Sequence, residues 1–181
     1  AFHSLNRNVF KKPVHRKPMP RIPYYRQQTH YTCGPAVLRM ALAALGKRMS
    51  ETHITKLVGT RKKEGTSNKD MTRCLRKLKV SYRSSYKKTV RDLAKHSHKS
   101  IIIVDWMPQL VFPEHKEFTH SEHFNPDEDA HYAIVVSAAS KYVTLQDPIL
   151  GRRIRILREQ FVKAWRDPTS TSCRWMLSIK V

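Results

Sequence analysis

The chain has 181 residues, 40% of them hydrophobic, which is enough for one domain with a proper core and too little for two of ordinary size. Lys and Arg number 35 against 14 Asp and Glu, a formal charge of +21 that exceeds what solubility requires and brings an anionic partner into consideration. No apolar run approaches the roughly 18 to 20 residues of a membrane-spanning helix, and three cysteines without a CxxC pair exclude a disulfide-stapled scaffold and a structural zinc site.

The first residue is Ala1, and no signal-peptide-like apolar stretch follows, so any targeting segment is expected to have been removed already. Residues 1–21 read as a basic, Pro-rich arm. Pro13, Pro18, Pro20 and Pro23 deny this region a helix, and no acid occurs before residue 27. A single domain is expected over 22–181. From Thr32 the apolar residues Val37, Leu38, Ala41, Leu42 and Leu45 line one helical face, and Gly46 suits the position just past the helix. Ser50 predicts the cap of a helix running to Val58, and Ser67 that of a helix burying Met71, Cys74, Leu75 and Leu78. Val80 to Tyr86 reads as a strand, Thr89 caps a short helix, and the β-branched run Ile101 to Val104 predicts a buried strand.

Residues 105–129 carry seven of the fourteen acids and one basic residue, and read as a long acidic loop, either a functional lid or a disordered segment. Strands are predicted at His131 to Ala138 and Tyr142 to Gln146, then a turn at Asp147 to Gly151 and a strand from Arg152 to Ile156. A short helix through Trp165 and a last strand near Cys173 to Val181 complete the chain. Helices first and antiparallel strands second describe an α+β fold, its helical first half packed on an antiparallel sheet.

A cysteine nucleophile must be thiolate when it attacks, and the first turn of a helix favours the anion through free N–H groups and partial positive charge. Cys33 has that position, with Thr32 as expected cap, Gly34 leaving the backbone open beside the sulfur, and Pro35 giving up an N–H that has no helical partner. A hairpin centred on residue 139 sets His131 directly opposite Asp147, close enough for a carboxylate to hold an imidazole N–H. A one-residue slip would put the two on opposite faces.

The ordered set Gln27, Cys33-Gly34-Pro35-Ala36, His131-Tyr-Ala-Ile-Val-Val136 and Asp147-Pro148 resembles the papain-fold cysteine peptidases that cut double-glycine leaders from bacteriocin precursors, in particular their stand-alone relatives. The resemblance covers roughly Ile22 to Trp165. It implies a papain-like fold in which Cys33 is the nucleophile, His131 the general base, Asp147 the residue orienting the histidine and Gln27 the oxyanion donor. Gln28 adjoins Gln27, but spacing to the cysteine favours Gln27. A peptide or protein is the expected substrate, no cofactor is expected, and the chain is expected to be a monomer.

Other features take plainer readings. His115, Glu117, His120, Glu122 and His123 lack a helical HExxH arrangement and read as a solvated loop rather than a metal site. Cys74 and Cys173 remain as an even pair that an oxidising compartment would allow to bond, and with the processed start this leans towards export over an organelle or the cytoplasm. Between Lys47 and Lys99, 17 basic residues face 4 acids. A second functional class therefore stays open: a binding protein on a peptidase scaffold, docking on RNA or another polyanion with strong salt dependence. A third keeps the thioester chemistry and passes the acyl group to an amine or thiol.

Overall fold

The computed structural model describes residues 18–114, 131–149, 153–166 and 173–181. The described elements, in order, are α1 (Cys33–Ala44), α2 (Glu51–Val58), α3 (Asn68–Lys77), β1 (Tyr82–Ser85), α4 (Val90–His96), β2 (Ser100–Trp106), a single-turn 3-10 helix (Pro108–Leu110), β3 (His131–Ala138), β4 (Tyr142–Gln146), β5 (Arg153–Leu157), α5 (Arg158–Ala164) and β6 (Met176–Lys180). The strands form one antiparallel sheet in the order β1-β6-β2-β3-β4-β5. The architecture is α+β, as the sequence predicts.

Local chemistry sets most helix ends. Ser50 accepts from the His53 N–H and Gly59 takes a left-handed φ of 82° that closes α2. Ser67 with Asp70, and Thr89 with Asp92, form reciprocal capping boxes at the starts of α3 and α4. Gly46 has a φ of 79° just past α1, the conformation expected of it.

Alternation along β2 divides the interior in two. Ile101 and Ile103 face a cluster built with α1, α2 and α3, while Ile102, Val104 and Trp106 face a second one built with α4 and α5. The helical first half does pack on the sheet, and α4 and α5 cover its other side. The four residues Ile101 to Val104 are at most 1% exposed, and each contributes about 1.5–3 kcal/mol by leaving water. This makes β2 the rigid strand against which β3, and so His131, is held.

Two expectations need correction. Asp105 is not in a loop: it lies in β2 and is 4% exposed, and the acidic segment contributes structure up to the Pro108–Leu110 turn. Met19, Ile22 and Tyr25 pack against the first cluster. The β3–β4 hairpin pairs Ile134 with Gln146 and Val135 with Leu145, two residues away from the expected register. Its turn is the tight one at Ser140 and Lys141, with the Ala139 N–H bonded to Tyr142 O, and a bulge between Val135 and Ser137 absorbs one further residue. Residues 1–17 of the arm and residues 115–129 of the acidic loop lie outside the described residues.

Candidate active site

Cys33 is the first residue of α1 and is half-buried. Thr32 stands at the cap position but its side chain does not cap. Its Oγ1 instead donates to Thr29 O and accepts from the Thr29 N–H, each at 3.1 Å. The first-turn N–H groups are therefore not covered by the cap side chain, which suits a helix start meant to face a developing negative charge. Gly34 has a different reason from the expected one. A Cβ there would lie 2.8 Å from the Cβ of Thr66, so the glycine admits a close-packed loop rather than leaving open space by the sulfur.

His131 opens β3 and is 6% exposed. Asp147 follows β4 and is fully buried. The observed ladder, continued past Gln146, sets His131 opposite Ile149 and leaves Asp147 one diagonal step away. The two-residue difference from the expected register preserves the face, and the side chains still meet, with His131 Nε2 at 3.0 Å from Asp147 Oδ2. Asp147 Oδ1 accepts from the Ile149 N–H at 2.9 Å, and Tyr24 donates its hydroxyl to Asp147 O at 3.1 Å. Burial raises the Tyr24 phenol, with the Asp147 charge adding to it, so the hydroxyl stays a donor.

Because a carboxylate only accepts, Nε2 carries the proton of that bond, and Nδ1 is the ring nitrogen left for the Cys33 sulfur, whose influence His131 also feels. Burial works against charge on this ring. The Asp147 carboxylate, by charge and hydrogen bond, and then the Cys33 sulfur outweigh burial and push His131 up to about 10. The imidazole is held as its cation through neutral pH, placed between a sulfur and a carboxylate.

Gln27 is drawn to the same turn through its backbone, its N–H donating to Pro148 O at 2.8 Å. Its side-chain Nε2 donates to Thr29 O at 2.7 Å, which orients the amide because a carbonyl can only accept. An amide nitrogen has two hydrogens, so one remains. Gln28 is exposed and serves another purpose: its N–H donates to Glu51 Oε1 at 2.8 Å. The structure thus bonds His131 to Asp147, sets Cys33 within electrostatic reach of the ring, and ties Gln27 to their turn by the main chain.

Sequence reasoning passed over the residues that hold this frame. Glu51, 1% exposed at the start of α2, fixes the Gln27-Gln28 segment. Gln146 donates from Nε2 to Pro23 O at 2.9 Å, pinning the same segment to β4. Tyr132, next to the histidine, donates to Asn68 Oδ1 at 2.7 Å with Thr66 O at 3.0 Å, and Asn68 Nδ2 reaches Asp105 Oδ2 at 3.3 Å. Since Thr66 rests on Gly34, this chain links the histidine strand to the helix start that bears the sulfur. Each of these pairs is far apart in sequence, and no local pattern announces it.

Among the described residues no disulfide joins Cys74 to Cys173. Cys74 is fully buried and burial pushes its thiol up, against the lowering effect of Lys77 and Arg73. Among the described residues no three His, Cys, Asp or Glu side chains form a group able to hold a metal, and His115, Glu117, His120, Glu122 and His123 lie outside those residues. Among the described residues no helix is long and apolar enough to cross a membrane.

Comparison with known proteins bears on the family and the fold. The model of the Peptidase_C39 like family matches residues 19–173. A protein of Methanothermobacter marburgensis is 30% identical over 138 residues, 76% of this chain and 79% of that one. The fold is similar to the peptidase domain of Streptococcus ComA, a bi-functional ABC transporter of a quorum-sensing pathway (TM-score 0.65, 19% identity, 88% of this chain and 98% of the other). It is equally similar to a double glycine motif protease from an AMS/PCAT transporter, solved with its leader peptide (TM-score 0.65, 18% identity, 92% and 96%), and to a C39-like peptidase from Bacillus anthracis (TM-score 0.65, 13% identity, 92% and 98%).

Proposed function

Since the chain belongs to the Peptidase_C39 like family and is a cysteine peptidase-like hydrolase, we propose that it cleaves a peptide or amide bond through a Cys33–His131–Asp147 triad with Gln27 as oxyanion donor. The observation that carries this reading is the His131 ring, bonded through Nε2 to a buried carboxylate at 3.0 Å while it also interacts with the Cys33 sulfur.

The chemistry follows from those positions. The Cys33 thiolate attacks the scissile carbonyl carbon, forming a C–S bond and moving an electron pair onto oxygen. That oxyanion meets the remaining Nε2 hydrogen of Gln27 and the Cys33 backbone N–H at the helix start. The protonated His131 gives its Nδ1 proton to the leaving nitrogen, the C–N bond breaks and an acyl-thioester remains. Neutral His131 then takes a proton from water as the hydroxide adds to the thioester; the tetrahedral intermediate collapses, the C–S bond breaks to release the acid product, and the Cys33 thiolate is restored beside protonated His131. Asp147 keeps the ring oriented and supports its charge throughout.

The substrate proposed is a peptide chain, as in the neighbour solved with a leader peptide. Incubating the whole chain and its Cys33→Ala variant with a peptide library, and sequencing the products, tests the reading. Cleavage by the native chain with loss above a hundredfold in the variant is the expected result; equal cleavage by both overturns it.

A further inference from the structure

Away from the cysteine site, Met71 to Arg91 holds eight basic residues and no acid. This stretch is most of α3, the whole of β1 and the start of α4. β1 is the outermost strand of the sheet, separated from β3 by β6 and β2, so it lies about 14 Å from the strand bearing His131. Arg76, Lys77, Lys79, Arg83, Lys87 and Arg91 are all exposed, and among the described residues none of them has an ion-pair partner. Arg73, by contrast, is neutralised by Asp70 at 2.6 Å.

Two of these cations stand where the backbone disfavours them. Lys79, in the turn entering β1, and Lys87, in the turn leaving it, both have φ of 54°, and they are the non-glycine residues with positive φ among those described. Glycine would take that conformation without strain. At Lys79 the left-handed residue ends α3, with the Val80 N–H bonded to Leu75 O at 3.0 Å; Lys87 ends no helix, and a charged side chain held there at a conformational cost is the kind of outlier from which a function is inferred. Protection of a sheet edge does not account for it. Arg83 within β1 already guards the edge, whereas Lys79 and Lys87 lie outside the Tyr82–Ser85 ladder, where no strand could add.

We propose that the β1 edge and its two lysine turns form a docking surface for single-stranded nucleic acid, separate from the peptidase site. Lys79, Arg83 and Lys87 contact successive phosphates along the strand. Tyr86, 53% exposed beside Lys87, offers a ring face to a base. An anionic membrane fits less well, because insertion calls for several exposed apolar side chains and Tyr86 is the one large hydrophobic residue exposed in this stretch.

The test measures binding of a fluorescent oligouridylate of about 20 nucleotides to the whole chain across a salt series. Two triple variants carry the same change in charge: Lys79→Gly with Arg83→Gln and Lys87→Gly at the β1 edge, and Lys141→Gln with Arg158→Gln and Lys163→Gln at the far end of the sheet. The first is expected to weaken binding at least about tenfold at low salt and to reduce the log–log salt slope by about 2, at about 0.7 for each lost single-strand phosphate contact. The second is expected to change affinity by less than about threefold. Because glycine relieves both left-handed positions, the first variant should melt no lower than the native chain, and Lys79→Asn with Lys87→Asn, which also accepts that conformation, guards against misfolding. Both variants should cleave peptides as the native chain does. Equal losses in the two triple variants, a salt-independent or absent interaction, or binding to anionic phospholipid vesicles with none to the oligonucleotide would each overturn the proposal.

Discussion

Replacing Asp147 by Asn keeps the shape of the buried side chain and removes its charge, and so isolates what the carboxylate does for His131. In the native chain burial disfavours the ring's cation, and the carboxylate with the cysteine sulfur reverses that, carrying the imidazole from 6.5 to about 10. In Asp147→Asn the dominant raising interaction is gone while the burial remains, so the ring should titrate at or below its ordinary 6.5. At neutral pH it then lacks the proton that the leaving nitrogen must receive. General acid catalysis of this kind is worth about 10²–10⁴ in rate, and kcat/KM at pH 7 should fall within that range. The assay is the pH profile of kcat/KM, paired with NMR titration of the ring. The native alkaline limb should lie near pH 10, and the variant's should move to neutral pH or below. An alkaline limb that stays in place, or a ring that still titrates near 10, would refute the assignment of Asp147 as the source of the shift.

The same raised value predicts a stability profile: the contribution of His131 is fully present below pH 6.5 and is lost as pH rises through about 10, so native melting temperatures should decline over that window while Asp147→Asn shows a flatter curve. Gln27→Ala should lower kcat by about 10²–10³ with little change in melting temperature, the cost of losing one oxyanion donor. Gly34→Ala forces a Cβ to 2.8 Å from the Cβ of Thr66 and should destabilise the fold by about 1–3 kcal/mol, with partial recovery when Thr66→Gly, which removes that Cβ, is added; chemical denaturation of the single and double variants measures the coupling. Tyr132→Phe strands the Asn68 and Thr66 oxygens and should cost about 1–3 kcal/mol of stability, with kcat reduced more than KM is raised, since the hydroxyl links the histidine strand to the cysteine helix.

What the sequence discloses and what it conceals divide along the range of the interactions. The capping boxes at Ser67 and Thr89, the αL glycine at 59 and the doubly buried run Ile101 to Val104 are written in residues a few positions apart, and each is recoverable from pattern alone. The pairing of His131 with Asp147 was legible through parity. The turn at Ser140 and Lys141 and the bulge after Val135 displaced the register, yet by two residues at the histidine end, which leaves every side chain on its face. Glu51 holding Gln28, Thr66 filling the space at Gly34 and Asp105 joining Asn68 could not be read, because each depends on where a helix comes to rest on a sheet. Asp105 misleads for a further reason: it opens an acidic stretch that looks like loop, while its neighbour Trp106 pairs with His131 in the sheet.

The central claim is that the Cys33 sulfur is activated by the His131 ring. Alkylation of the whole chain by iodoacetamide at mildly acidic pH, followed by peptide mapping in the native protein and in His131→Ala, measures that directly, since ordinary thiols react slowly there. The account predicts rapid labelling confined to Cys33 in the native chain and a loss of at least about tenfold in rate in the variant. Labelling that is equally fast without His131, or that falls on Cys74 or Cys173 instead, would contradict it.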